Sequence, residues 1–543
     1  MSVPSSKIFA CSGVRLTNAY DHTIWFADPT AQQAYFAGKV ANTFTGYTYL
    51  RKNWDIDVAV PFDTARKWSY LFFQNSDGKY WYYFVTNIEY KSDSMTKIRI
   101  ELDVMQTYMF EYERLPCLVE REHAASDAVG GNLVQENLEL GEYKDAWTYD
   151  VGTDDLGSLV PLVMTPYSVK KVMEEGTTAA GAYVFGTRMD GLYSGMAVYK
   201  VTNTGSLSLL IDELNDVEGG IDGIFYIWMY PSKLLTDYAT QSDDYTGLIR
   251  VGGTNPVTVT LSLADIDEGY TPRNKKLLTY PYRFLYASNN SGATAIYHLE
   301  RFTAPDTPKF AVYGAVAADA TTKLIPCSYK GVARNHDESI PGQGYPSCAW
   351  FSDSYKLWLA QNQNNLANQE WQTAGTILVG AATVIAGVAT GGIGALGVAG
   401  AVMAGGGMLG AGINQALNLH AQKKDAQLQP PTSKGQHSAS VNHNSGALGY
   451  RLAIRRIRDD QMQRLDEFFD MYGYATNRVK VPNTHSRPVY TYTKTAGCKI
   501  KAPRLCTDDV RKIEQIFDHG ITFWMDGDQV GNYDSNNRGR NAL

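Results

Sequence analysis

The residues best spaced for chemistry are six glycines. Gly392, Gly394 and Gly397 fit G-x-G-x-x-G, and Gly405, Gly407 and Gly410 fit it again. In a dinucleotide-binding fold such glycines make a tight turn and admit a pyrophosphate. An acidic residue roughly 20 positions on then holds the ribose. No Asp or Glu occurs between Gly397 and Lys424, and so dense a run of glycine matches the pattern by chance, so nucleotide binding is not expected. His437 and His443 flank a short polar run without a nearby carboxylate or cysteine. They read as surface-loop histidines rather than metal ligands. Asp459, Asp460 and Glu467 could supply the carboxylate pair of glycoside hydrolysis, but their helical spacing makes a solvated helix face. Arg455, Arg456 and Arg458 read as a helix surface or a subunit contact. G-x-S-x-G, H-E-x-x-H and the Walker loop are absent. The sequence offers no catalytic, cofactor-binding or metal-binding residue, and no enzyme is expected.

The glycines belong to a longer feature. From Thr373 to Ile413 there is no charged and no aromatic residue, and the gap between charges runs from Glu370 to Lys423. Its larger apolar residues are Ile377, Leu378, Val379, Val384, Ile385, Val388, Ile393, Leu396, Val398, Val402, Met403, Met408, Leu409 and Ile413, with Gly391 and Gly392 as a central break. Gly387, Gly391, Ala395 and Ala399 make a small-xxx-small row, the spacing that lets helices approach closely in lipid. A membrane span takes about 20 apolar residues, so the stretch could give two short spans or one long buried helix. Gly and Ala add little transfer energy, so one copy would insert weakly, and glycine disfavours helix in water. The reading is a membrane-active loop. A buried helical core and a plain linker are the alternatives.

These residues need a frame. A chain of 543 residues should make several domains. Its 36 tyrosines and 12% aromatics favour β structure. A net charge of −7 excludes a basic nucleic-acid reader, though not a conduit that must not grip phosphate. The six cysteines form no C-x-x-C, so structural zinc is not expected and disulfides are the lesser reading. No apolar signal region opens the sequence, which points to synthesis in a reducing cytoplasm.

Residues 1–124 read as a β-rich segment. Lys79–Lys91 and Met95–Leu102 should form a hairpin, and Asp103 should cap a short helix. Residues 125–351 alternate strand-like runs with turns: Gly223–Tyr230, Val257–Leu263, Lys276–Ser288 and Ala295–Phe302, with a weak helix at Ser168–Glu175. Residues 352–446 form one excursion, in which polar helical arms flank 373–413 and a flexible connection follows from Pro431. Residues 447–543 return to an α/β segment. It has an amphipathic helix over Leu452–Tyr472 stopped by Gly473, a strand over Pro488–Thr495, a helix capped by Thr507 and stopped by Gly520, and a last strand over Ile521–Met525. Ser535–Leu543 reads as a loose tail.

Several segments resemble the tail knob (distal tail tube) proteins of phi29-like short-tailed bacteriophages. They are YGYATNRVKVPN (Tyr472–Asn483), IFDHGITFWMDGDQVGNY (Ile516–Tyr533), FFQNSDGKYWYYFVTNIEYK (Phe72–Lys91), IELDVMQTYMFEYE with VEREH (Ile100–His123) and LLTYPY (Leu277–Tyr282). The resemblance covers both ends well and the middle in patches. It implies a mainly β fold with some α (α+β), in which N- and C-terminal segments form β-barrel or sheet tube domains. It implies a homohexamer at the virion tail tip, made in the host cytoplasm and joined to other tail proteins. Phage DNA would pass through its lumen without sequence-specific binding. The long Gly/Ala-rich loop would plug the tube, then enter host membrane lipid to make a channel for genome ejection. A tail-tip cell-wall hydrolase and a secreted pore-forming protein are the rival readings.

Overall fold

Met95–Leu102 alternates, with Thr96, Ile98, Ile100 and Leu102 buried and the residues between them turned outward. It pairs antiparallel with Tyr80–Ser92, and the pairing of Ser92 with Met95 leaves Asp93 and Ser94 as the turn. This is the expected hairpin. It sits in a six-stranded antiparallel sheet ordered Val40–Tyr47, Ser6–Ser12, Trp68–Gln74, Tyr80–Ser92, Met95–Leu102, Asp55–Val58. Asp103 then caps the helix Val104–Tyr108, its Oδ1 accepting from Met105 N at 3.0 Å and Gln106 N at 3.1 Å. All five helical residues are buried.

The computed structural model describes residues 6–47, 55–165 save 76, 197–203, 210, 226–237, 248–348 save 265, 318, 319 and 346, and 449–537 save 535. It also describes strand fragments at 167–168, 183–184, 188–189, 192–193, 350–352 and 432–434. The chain divides into two units. The first is Met1–Tyr143, Gly269–Tyr282 and Ile457–Leu543; the second is Lys144–Glu268 and Arg283–Arg456. Strand outweighs helix, so the fold is mainly β with some α.

A second sheet of the first unit joins the two ends of the chain. Its order is His22–Ile24, Ile521–Trp524, Tyr490–Ala496, Cys117–Glu122, Tyr474–Lys480. Only the first pair is parallel. The helix Thr507–His519 buries Ile513, Ile516 and Phe517 in the core that also holds Trp524, Phe36 and Tyr70. Its N-cap is Cys506, one residue before the Thr507 expected. The helix Asp459–Tyr472 ends at Gly473, whose φ of 65° suits glycine. A Cβ there would lie 2.3 Å from the Glu122 carbonyl oxygen, so only glycine lets the two segments approach.

That helix is shorter than expected. Tyr450–Ile457 is a strand, and Tyr450, Leu452 and Ile454 point inward with the period of two that a strand requires. Of the expected loose tail, Asn537 is tied to a strand, its side chain accepting from Val489 N and Tyr490 N and donating to Tyr490 O, and 538–543 lie outside the described residues.

The second unit holds a six-stranded sheet ordered Leu235–Asp237, Leu248–Thr254, Ala197–Val201, Leu159–Thr165, Tyr226–Pro231, Ser347–Cys348. It has two four-stranded sheets. One is ordered Tyr143–Val151, Tyr450–Ile457, Arg283–Ser288, Thr294–Tyr297, the other Val257–Thr260, Lys309–Tyr313, Lys323–Cys327, Ile340–Pro341. The expected run Lys276–Ser288 splits: Lys275–Leu278 is a 3-10 turn and only Arg283–Ser288 is strand. Pro281 lacks the N–H a central ladder needs. Ala295–Phe302 likewise gives way to a 3-10 turn at Leu299–Arg301. Ser168 lies in a strand fragment paired with Tyr183, and 169–175 of the expected helix lie outside the described residues.

Candidate functional site

The loop residues Ile377, Leu378, Val379, Val384, Ile385, Val388, Gly391, Gly392, Ile393, Leu396, Val398, Val402, Met403, Met408, Leu409 and Ile413 lie outside the described residues. So do the expected helical arms within 353–431, the other glycines of the two G-x-G-x-x-G matches, His437 and His443. What is described is the root of the excursion. Trp350–Ser352 pairs antiparallel with Thr432–Lys434, in the register Trp350 with Lys434, Phe351 with Ser433 and Ser352 with Thr432. Residues 353–431 therefore leave and return at one point. Thr432–Lys434 is a strand where a flexible connection was expected.

The chain on the near side of this root is fastened. Just before it, Ser347–Cys348 pairs with Ile227 and Trp228 of the wholly buried strand Tyr226–Pro231. After it, Tyr450–Ile457 takes an inner place in its sheet, with Arg451 to Arg456 paired against Ser288 to Arg283. Arg451 is 3.1 Å from Asp150 and Arg455 is 2.7 Å from Asp145. The Arg455 guanidinium lies over the Tyr286 ring, 3.6 Å from its centroid. Arg456 is buried within 4.0 Å of Glu268. Arg455 and Arg456 thus support a strand, not the helix surface expected of them. Arg458 is an exposed partner of Glu142 and Asp460, at 3.4 and 3.6 Å.

The carboxylates read as a possible catalytic pair are surface groups. Asp459 and Asp460 occupy the first turn of their helix, where negative charge suits the macrodipole. Glu467 accepts from Gln463 Nε2 at 3.3 Å on the exposed face. Among the described residues no group of three or more His, Cys, Asp or Glu is placed to hold a metal, and no helix is long and apolar enough to cross a membrane.

The polar residues that matter to this body are others, all in the first unit. Asp466, on the same helix, is fully buried. Its Oδ2 accepts from Tyr270 OH at 2.7 Å and Arg273 N at 2.8 Å. Its Oδ1 accepts from Asn274 N at 2.9 Å and Asn274 Nδ2 at 2.7 Å. Tyr474 OH donates to Asp127 at 2.8 Å and lies 3.0 Å from Asn274 Oδ1. Glu136, nearly fully buried, accepts from Arg121, Lys276 and Ala475 N. Burial pulls the Lys276 ammonium below its ordinary range, and Glu136 pulls it back. His123 is fixed in one tautomer: Nδ1 accepts from Tyr492 N at 2.7 Å, so Nε2 must carry the proton donated to Asp470 O at 2.9 Å. Burial pushes its pKa down to about 3, so the ring stays neutral. Sequence reading missed this knot, because each member is fixed by segments far away in the chain. The nearest sequence signal was that VEREH and YGYATNRVKVPN, two of the segments carrying the resemblance, contain Arg121, His123, Tyr474 and Ala475, and LLTYPY adjoins Lys276.

Residues 249–538 match the family described as Bacillus phage phi29, Tail knob protein gp9, C-terminal domain. Residues 4–113 match the caudoviral major tail protein N-terminus. Tail knob protein gp9 of Bacillus phage phi29 is 25% identical over 586 aligned positions, covering 96% of this chain and 97% of its own. Tail knob protein gp9 of Bacillus phage B103 is 25% identical over 609 positions, covering 97% and 98%. The fold is similar to that of the bacteriophage C1 tail knob protein, gp12, with a TM-score of 0.66, 14% identity and coverage of 97% of this chain and 98% of that one.

Proposed function

The chain belongs to the family of the phi29 tail knob protein gp9, and on that premise we propose that it is one subunit of a tail-tip conduit that carries its own membrane-opening loop. As a member of that family it is a protein of the virion tail knob. In this reading it is made in the host cytoplasm, and six copies close a tube that joins other tail proteins and lets phage DNA pass. Residues 373–413 of each copy plug the tube, then enter the host membrane and line a channel for genome ejection. In this reading the protein's role is structural.

One observation carries the proposal. The charge-free stretch lies within 353–431, and the two ends of that excursion are paired strand to strand. An apolar segment rooted in this way can leave the body while the chain on both sides stays in its sheets. Six loops acting together offset the weak transfer energy of Gly and Ala in any one of them. A net charge of −7 suits a lumen along which DNA must slide. The test is dye release from phospholipid liposomes. Full-length protein should release the dye, and deletion of 373–413 should abolish release. Leakage that survives the deletion would sink the loop's role. Electron micrographs should show six-fold rings with a central hole, and a compact monomer would contradict the conduit.

A further inference from the structure

Tyr345 stands two residues before the strand Ser347–Cys348, where the chain leaves the sheets of the second unit, and Tyr450 opens the strand Tyr450–Ile457, where it returns. These two strands lie in different sheets. Thr322 belongs to neither and stands just before Lys323–Cys327, in the third sheet of the unit. Its Oγ1 is hydrogen-bonded to both tyrosines, 3.0 Å from Tyr450 OH and 3.5 Å from Tyr345 OH. All three residues are buried. Gly342 N donates to Thr322 O at 2.6 Å, and a Cβ at Gly342 would lie 2.4 Å from Thr322 Oγ1 and 2.7 Å from Tyr450 OH, so glycine lets the backbone close over the hydroxyls. The Tyr230 ring lies 5.4 Å from that of Tyr345, and its own hydroxyl is buried with no hydrogen-bond partner among the described residues. The fold therefore leaves one tyrosine hydroxyl of this core unpaired while bringing the two that flank the excursion onto a single threonine. Burial pushes the Tyr345 hydroxyl up to about 12 and that of Tyr450 higher still, so both keep their protons. In so closed a place a lost hydrogen-bond partner is not replaced by water.

We propose that Thr322 is the positioning residue of the excursion, tying the point where the chain leaves the sheets at Tyr345 to the point where it returns at Tyr450, so that the two stems open and close as one. The tie goes beyond the loop's proposed role and holds whether or not the loop meets lipid. A pull on 346–449 reaches the second unit at two stems in two sheets. While the hydroxyls are joined, neither stem parts from its sheet without breaking a bond to the threonine that the other stem shares. Thr322→Val keeps the shape of the side chain and removes both bonds. Thr322→Ser keeps the hydroxyl. Tyr450→Phe takes one bond from the returning stem and nothing from Tyr345.

The test is amide hydrogen exchange, read by mass spectrometry on the full-length protein without lipid. In wild type the amides of Ser347–Cys348 and Tyr450–Ile454 should both be protected. Thr322→Val should quicken exchange at both stems by about tenfold, because buried hydroxyls lose their partner. Lys309–Tyr313, a strand of the same unit, should keep its wild-type rate, and Thr322→Ser should restore both stems. Tyr450→Phe should also quicken exchange at Ser347–Cys348, where it removes no bond. That arm decides the matter should Thr322→Val fail to fold. Tyr230→Phe deletes a hydroxyl that ties nothing, and should move neither stem. An effect of Tyr450→Phe confined to its own strand overturns the proposal. So does exchange in Lys309–Tyr313 that rises with the stems, or a Tyr230→Phe protein that behaves like Thr322→Val.

Discussion

Two places in this molecule bring together segments far apart in sequence, and they are built differently. In the first unit the chain ends meet in a five-stranded sheet over a core holding Trp524, pinned by buried polar groups at Asp466, Glu136 and His123. In the second unit the two ends of the excursion meet in a ribbon of three residue pairs. A two-stranded ribbon is marginal in water on its own. Register over many rungs, a core and hydrogen-bonded buried charge hold the first junction. The second follows closely on Ser347–Cys348, which is paired into the six-stranded sheet. The contrast separates a body that must keep its shape from a root that need only stay where it is.

The sharpest way to break that contrast is Asp466→Ala. The substitution removes the acceptor of donors on Tyr270, Arg273 and the buried Asn274. Breaking a buried, hydrogen-bonded charge typically costs about 3–5 kcal/mol. Asp459→Ala, one turn and more away in the first turn of the same helix, should cost less than about 1 kcal/mol. Urea midpoints of the two variants give the comparison. Equal losses would mean that the knot is not what holds the junction.

A pH series probes the same junction with a smaller effect. The folded state holds His123 at about 3 against an ordinary 6.5. Between these values the unfolded chain binds a proton that the folded chain refuses, so stability falls as pH drops below 6.5, by at most about 5 kcal/mol. Asp103 opposes it. Burial raises its carboxyl to about 6, so the folded state binds the extra proton in the window below that value, and stability there falls as pH rises. The wild-type melting temperature should decline from pH 6.5 to 4. His123→Asn should lower stability at pH 7 but flatten or reverse that decline. An unchanged slope in the variant would remove His123 as its cause.

Legibility in the sequence followed the range of the interactions. The hairpin ending at Leu102, the Asp103 cap and the glycine stops at Gly473 and Gly520 rest on neighbours in the chain, and all were readable. Tyr450–Ile457 was misread because Ile454 and Ile457 mimic helical spacing. The run becomes a strand only by pairing with Arg283–Ser288. Asp466 carried no signal at all. It sits among acidic neighbours on an amphipathic helix, and what buries it arrives from 192 residues earlier. The apolar stretch was the plainest feature of the sequence, and its residues 377–413 lie outside the described structure, so its role rests on composition, family and the paired root.

The smallest expected effect comes from closing that root. Ser352 and Thr432 face each other in the ribbon, at the separation of about 4.5–5.5 Å that accepts a disulfide. A protein carrying Ser352→Cys and Thr432→Cys, oxidised, should melt within a few degrees of wild type. The cross-link closes a loop already closed by pairing, and engineered disulfides often add less than loop length suggests. It should also still release liposome dye. Residues 353–372 and 414–431 separate the apolar stretch from the staple on either side, a length that could span up to ~3.3 Å per residue if extended. Loss of release on oxidation, restored by reductant, would show that the ribbon itself must part. The root would then belong with the moving loop, and the contrast between the two junctions would be one of timing rather than of fixed and mobile chain.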